Sequence, residues 1–172
     1  MDGQMTNIFN STFENSLRII ILLSNSTTEI RQERIVYLDF ITCYSHDFGF
    51  SENINGNNSS KKAEITLRRA NIKKALHELV IDGFVKPIDE ESGHFFEITT
   101  EGKQFSEQLT SNYANKYREI SKTVITQFSD KTEQYNWFHG HKEMFKNPDN
   151  EESIIISKLL LKPKMRETIH QR

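Results

Sequence analysis

Six basic residues lie close together within residues 61–78, in the middle of the chain. Two acidic residues interrupt them, so this segment has a net charge of +4 when histidine is counted as neutral. Lysine and arginine side chains at this density can neutralise DNA phosphates or donate hydrogen bonds to base edges. Five of the six are therefore candidate DNA-binding residues: Lys61, Lys62, Arg69, Lys73 and Lys74.

The helical period separates the two arginines of this segment from its lysines. At about 100° per residue, Arg68 and Arg69 flank the apolar side of a helix, whereas Lys73 and Lys74 lie further out. Asp39 stands among the apolar residues of an earlier helix, where a carboxylate needs a partner. We therefore expect a structural ion pair between Asp39 and Arg68 or Arg69, with bidentate hydrogen bonds. Contact of the arginines with nucleic acid or a partner protein stays open, and the lysines fit a solvated surface equally well.

The sequence contains no combination of residues that indicates a catalytic, cofactor or metal site. His139 and His141 stand beside Glu143, but two histidines without a third firm ligand are a weak metal signal. Residues 47–49 spell the Asp-Phe-Gly tripeptide of kinases without the other kinase motifs. Cys43, the one cysteine, has apolar neighbours, which favours a small core residue over a nucleophile. We expect a protein that is not an enzyme and holds no cofactor.

Composition excludes several classes of protein. The chain has 172 residues and a net charge of −2, so it is not a generally basic nucleic-acid binder. A single cysteine excludes an intramolecular disulfide framework. No aliphatic run approaches the roughly 20 residues needed to cross a membrane, and the first residues show no signal peptide. We expect a cytoplasmic protein that does not enter a membrane.

The predicted elements run in the order helix, helix, helix, strand, strand, helix. We expect Thr28 to cap the second helix, Gly83 to end the third, and Thr99 to cap the last. The last helix is predicted to start at residue 100 and to continue without a break through Val124. The predicted bounds are 7–24, 28–45 and 63–82 for the first three helices and 84–88 and 94–99 for the strands.

The segment from residue 72 to residue 109 resembles the second half of winged helix-turn-helix domains. A helix ends in Asp-Gly, a hairpin follows, and the hairpin closes on an aromatic-x-Ile-Thr sequence before the next helix. The resemblance implies an α+β, mostly helical fold. We expect a winged helix-turn-helix domain over residues 1–112 and a helical extension over residues 113–172.

Two apolar surfaces are candidates for docking a partner. Ile19 and Leu22 lie off the main apolar stripe of the first helix, and a helix that is apolar on two sides is either deeply buried or packed against a second molecule. We take the second alternative as the prediction for these two residues. Near the C-terminus, six aliphatic residues occur within eight positions: Ile154, Ile155, Ile156, Leu159, Leu160 and Leu161. Packing of this C-terminal segment on the core of its own chain remains an equal alternative.

The order and spacing of short motifs over residues 7–120 resemble the middle-component family of ABC-three-component systems, bacterial operons related to Lamassu-type anti-phage defence. The motifs are Ser-Leu-Arg-Ile-Ile-Ile-Leu-Leu at 16–23, Arg-Ile-Val-Tyr-Leu-Asp-Phe-Ile-Thr-Cys-Tyr at 34–44, His-Asp-Phe-Gly at 46–49, Arg68-Arg69, the Gly83-Phe84 turn, the Phe-x-Ile-Thr-x-x-Gly close at 96–102 and Leu-Thr-Ser-Asn-Tyr-Ala at 109–114. Residues 54–56 depart from the pattern, with Ile-Asn-Gly in place of Leu-His-Gly.

The family resemblance implies a function and a set of partners. It implies a non-enzymatic accessory subunit that sits in a hetero-oligomer between an SMC/Rad50-like ABC ATPase and a toxic effector such as a nuclease, and that could touch double-stranded DNA held by the ATPase. The alternative is a free-standing winged-helix transcription regulator. A net acidic chain whose arginines lie beside the core favours the accessory subunit.

Overall fold

The computed structural model describes residues 11–50, 52–54 and 61–128. These residues form an α+β, mostly helical fold, as predicted, and none of their helices is long and apolar enough to cross a membrane. A turn of 3-10 helix, Ser45–Phe48, follows the second helix. In chain order the elements are α1 (Thr12–Ser24), β1 (Ile30–Arg31), α2 (Gln32–Cys43), α3 (Lys61–Ile81), β2 (Val85–Glu90), β3 (Gly93–Ile98), α4 (Thr100–Gln108) and α5 (Asn112–Gln127).

The core is built around α1, which packs against α2, α3, α4 and β3. Ile19 and Leu22, predicted to face a partner, are instead fully buried in this core. Phe13, near the start of the same helix, is 71% exposed. The prediction for this helix was wrong because neighbours cover the C-terminal half of α1 on several sides, so its aliphatic residues are buried all round.

The sheet contains three antiparallel strands in the order β1-β3-β2. Strands β2 and β3 form the predicted hairpin, with Val85 opposite Ile98 at its base. Strand β1 was not predicted, and it pairs Ile30 with Phe96. Thr28 is therefore not a helix cap, and α2 begins at Gln32. Local patterns missed β1 because its hydrogen-bonding partner lies far away in sequence.

Two predicted residues shape the connections around the hairpin. Gly83 ends α3 with a left-handed φ of 79°. Thr99 caps α4: its hydroxyl accepts a hydrogen bond from the Gly102 backbone N–H at 3.0 Å and donates one to the Gly83 carbonyl at 2.8 Å. A Cβ atom on Gly102 would collide with the carbonyl oxygen of Phe84. The start of α4 therefore packs directly against the start of the hairpin.

The predicted continuous helix from residue 100 through Val124 is divided into α4 and α5 by residues 109–111. At this break the Arg118 guanidinium donates hydrogen bonds to the backbone carbonyls of Ser106 and Leu109, at 2.8 and 2.9 Å. The Ser111 hydroxyl accepts a hydrogen bond from the backbone N–H of Ala114 at the start of α5. The apolar residues keep their helical spacing across residues 109–111, so the spacing alone could not predict this break.

Helix α5 as far as Ile125 belongs to the same compact unit as the elements before it. The predicted boundary between residues 112 and 113 falls in the first turn of this helix, and it stays a prediction. Most of the predicted extension, residues 129–172, lies outside the described residues.

We expect Gly102→Ala to lower the free energy of unfolding by about 1–3 kcal/mol, because the new methyl group has no space against the Phe84 carbonyl. Helix propensity alone would favour alanine by about 1 kcal/mol, so the sign of the change separates the two effects. Urea unfolding followed by circular dichroism measures it. Gln104→Ala, at an exposed position of α4, is the matched control. A stabilised Gly102→Ala variant would contradict the close contact.

Candidate functional site

The carboxylate of Asp39, on α2, lies at the centre of a buried cluster of charged and polar side chains. Arg18 of α1 donates to both of its oxygens, from Nε at 2.9 Å and from Nη2 at 3.3 Å. The Tyr117 hydroxyl of α5 donates to Oδ1 at 2.7 Å, and Arg68 of α3 donates to Oδ2. One carboxylate thus connects four helices.

Arg68 extends the cluster toward a second carboxylate. Its Nη2 atom donates to Glu64 Oε1 at 2.7 Å, and the Tyr44 hydroxyl donates to the other oxygen of Glu64. The guanidinium carbon of Arg68 also lies 5.6 Å from the centre of the Phe40 ring. Two buried arginines therefore meet two buried carboxylates, which balances the charge that the core has removed from water.

The cluster holds Asp39 ionised and keeps Tyr117 and Cys43 protonated. Burial alone raises the pKa of Asp39, but the guanidinium groups of Arg18 and Arg68 outweigh burial and bring this pKa to about 2. Burial and the adjacent Asp39 carboxylate raise the pKa of Tyr117 well above its ordinary value. Burial likewise raises the pKa of the Cys43 thiol. At neutral pH these groups connect helices through hydrogen bonds, and none of them is an activated nucleophile.

The predicted contact between Asp39 and Arg68 is present, but the bidentate partner of Asp39 is Arg18, which sequence reasoning missed. One signal in the sequence could have identified Arg18. It is a charged residue within the aliphatic residues 17–23, just as Asp39 is a charged residue within an apolar segment, so each needs a buried partner of opposite charge. Glu64 and Tyr117 were missed as members of the cluster because their helical positions alone do not reveal a polar partner across the core.

Arg69, predicted as a DNA-binding residue, contacts α2. Its Nε atom lies 3.2 Å from Glu33 Oε2, and its Nη2 atom donates to the Tyr37 hydroxyl at 3.0 Å. Lys73 and Lys74 are exposed on the outward side of α3. Contact of these residues with DNA stays a prediction.

Several predicted site residues fall outside what the structure describes. Lys61 and Lys62 lie in the first turn of α3, and their side chains are not among the described ones. The histidines at 139 and 141 and the C-terminal apolar segment lie beyond the last described residue, which is Phe128. Within the described ranges, no group of three or more histidine, cysteine, aspartate or glutamate residues could hold a metal ion.

We expect Asp39→Asn to destabilise the protein by about 3–5 kcal/mol, because it removes the carboxylate that the buried guanidinium groups of Arg18 and Arg68 share. Tyr117→Phe removes one hydrogen bond to the same carboxylate and should cost about 1–3 kcal/mol. Urea unfolding measures both. Glu33→Gln breaks the half-exposed pair with Arg69 and should cost at most about 1 kcal/mol. Equal effects of Asp39→Asn and Glu33→Gln would contradict the central place of Asp39.

Acid should remove the stabilisation that comes from Asp39. Its pKa in the folded protein, about 2, lies below the ordinary value of 3.8. Its contribution is therefore complete above about pH 4 and is lost as the pH falls toward 2, an effect on the order of 2 kcal/mol. Urea unfolding at a series of acidic pH values tests this. Tyr117→Phe should make the loss smaller and end it at a higher pH, because the pKa of Asp39 in the folded protein moves toward its ordinary value. Glu33→Gln should leave the contribution of Asp39 unchanged.

A family model described as ABC-three component (ABC-3C) system Middle Component 2 matches residues 8–137. The matched region contains every described element and the whole of the buried cluster. Neither a curated protein nor a solved structure matches the chain. The match confirms the resemblance to middle components and, because it spans well over half of the sequence, the chain belongs to the Middle Component 2 family of ABC-three component systems.

Proposed function

We propose that this chain is a non-enzymatic middle subunit of a bacterial anti-phage defence complex, related to Lamassu-type systems. In this proposal it bridges an SMC/Rad50-like ABC ATPase and a toxic effector such as a nuclease. The observation that carries the proposal is the family match over residues 8–137, because a middle component of a three-component system implies partner subunits. The proposal includes a cytoplasmic location, where a reduced single cysteine such as Cys43 is usual.

The buried cluster supports a role without catalysis. Asp39 and Arg68 are ionisable groups at the centre of the described core, and both are buried among helices. Their hydrogen bonds connect them to each other and to Arg18, Cys43, Glu64 and Tyr117. Burial and pairing of this kind support a structural role in which the cluster holds helices together.

The element order supports the winged-helix part of the proposal. Helices α1, α2 and α3 precede the β2–β3 hairpin, and the short strand β1 completes a three-stranded sheet. In this interpretation α3 is the helix that would lie in a DNA groove, and the hairpin is the wing.

A winged-helix transcription regulator is the second candidate, and the exposed Lys73 and Lys74 on α3 favour it. Against it, Arg68 is 2% exposed and Arg69 is paired with Glu33, so neither arginine presents a free guanidinium to DNA. The net charge of −2 also opposes strong binding to a polyanion. We therefore propose at most a weak and salt-sensitive contact with duplex DNA.

Co-expression with the ATPase and effector genes of the same system should yield a complex that elutes together from a size-exclusion column. Deleting residues 151–172 should abolish this co-elution without loss of the helical circular dichroism spectrum, because the deletion removes the proposed docking segment. Ile155→Asp with Leu160→Asp should have the same effect. Ser153→Asp with Thr168→Asp adds the same charges outside the apolar residues and is the matched control.

Two outcomes would contradict this proposal. If the intact chain elutes alone in the presence of both subunits, it is not a bridging component. If fluorescence anisotropy shows nanomolar, sequence-selective binding to duplex DNA at physiological salt, the transcription regulator is the better function. A deletion variant that loses its fold would assign residues 151–172 to the core of the chain.

A further inference from the structure

The buried cluster is divided unequally among the four helices that it connects. Its buried ions are Arg18 on α1, Asp39 on α2, and Glu64 and Arg68 on α3. Guanidinium groups and carboxylates therefore balance each other within α1, α2 and α3. Helix α5 contributes the hydroxyl of Tyr117, which donates to Asp39 at 2.7 Å and stays protonated. The ionic part of the cluster is thus complete without α5.

Separation of α5 from the other helices would leave the ion pairs of the cluster intact. Without Tyr117, Oδ1 of Asp39 still accepts from Nε of Arg18 at 2.9 Å, and Oδ2 still accepts from Arg68. Separation of α1 or α3 would instead part a buried guanidinium from its carboxylate, which costs more free energy than the loss of a hydrogen bond from a hydroxyl. The cluster therefore opens at the lowest cost along α5.

A second tyrosine of α5 contacts the other helices in the same way. The half-buried Tyr113 hydroxyl is hydrogen-bonded to the carboxylate of Glu14, in the first turn of α1. Tyr113 lies four residues before Tyr117, so both side chains extend from the same side of α5. Each supplies a neutral hydroxyl to a carboxylate, and water can take its place when the helix moves away.

The start of α5 contains a linker about which the helix can turn. Residues 109–111 separate α4 from α5, and the Ser111 hydroxyl caps the first turn of α5. The half-exposed Arg118 bridges this linker through the last carbonyls of α4. Lys116 Nζ lies 2.9 Å from Glu52 Oε1, and both side chains are exposed. These contacts lie where water can replace them, so breaking them costs little.

Apolar burial holds α5 against the rest of the protein. Tyr117 and Val124 are fully buried, and Ala114 and Ile120 are buried on the same side of the helix. Removing these side chains from water stabilises the closed arrangement, so the open arrangement is a minor state. Openings of single elements, at a free energy below that of global unfolding, are a general property of folded proteins.

We propose that α5 is a latch, which opens about residues 109–111 as one helix while α1, α2 and α3 remain folded around their buried ions. The closed latch shields Asp39 from water, and the open latch exposes the apolar side of α5 and the surface that it covered. A ligand that binds the open form more tightly than the closed form would shift the chain toward it. This inference concerns the chain by itself and does not depend on the proposed function.

Hydrogen exchange of the full-length chain, measured by mass spectrometry of its peptides, tests the latch. Amides within residues 112–125 should be protected, yet should exchange at least about tenfold faster than the slowest amides of α1, α2 and α3. Tyr117→Phe weakens the closed form alone, so α5 should exchange at least about fivefold faster. Glu119→Gln, at an exposed position of the same helix, is the matched control and should stay within about twofold of the parent.

A second variant, Val85→Ala, separates opening of the latch from global unfolding. Val85 is buried on β2, which packs against α3 and β3. Its truncation destabilises the part of the protein that stays folded when the latch opens. The slowest amides of α1, α2 and α3 should therefore exchange at least about fivefold faster, while α5 stays within about twofold of the parent. Ile98→Val, opposite Val85 in the hairpin, takes its place if Val85→Ala does not fold.

Three results would overturn this inference. If α5 exchanges as slowly as α1, α2 and α3 and responds equally to Val85→Ala, it unfolds only together with the whole domain. If the amides of α5 show no protection, the helix is not held closed over Asp39. If Tyr117→Phe leaves exchange in α5 unchanged, the opening does not break the hydrogen bond to Asp39 and is fraying of the helix.

Discussion

One buried carboxylate, that of Asp39, organises the described part of this protein. It accepts hydrogen bonds from α1, α3 and α5 while it lies on α2, so the relative positions of four helices depend on it. A charge removed from water is tolerable only if its partners satisfy it fully, which Arg18, Arg68 and Tyr117 do together. A displaced α1, α2 or α3 would leave a buried ion unpaired, which costs about 3–5 kcal/mol.

The same cluster decides which side of α3 faces outward. Because Arg68 is drawn into the core and Arg69 pairs with Glu33, the arginines that would suit a DNA-binding helix stabilise the fold instead. The outward side is left with lysines between Leu67 and Ile81.

Local chemistry explains which elements could be predicted. The end of α3 at Gly83, the hairpin and the Thr99 cap depend on residues a few positions apart, and each is present. Strand β1 and the break before α5 could not be predicted in the same way. Strand β1 exists because β3 offers it hydrogen bonds, and the carbonyls at the break are satisfied by Arg118 from the following helix.

The sequence by itself determined the fold class, the family and the need of Asp39 for a basic partner, because each follows from residue type and spacing. Only the tertiary structure decided that Arg18 is the bidentate partner and that Ile19 and Leu22 are core residues. The burial of a residue depends on how many neighbouring elements surround its helix. The partner of a buried charge depends on where those neighbours place their own polar groups. Both are properties of the packed assembly of helices, which a one-dimensional pattern does not contain.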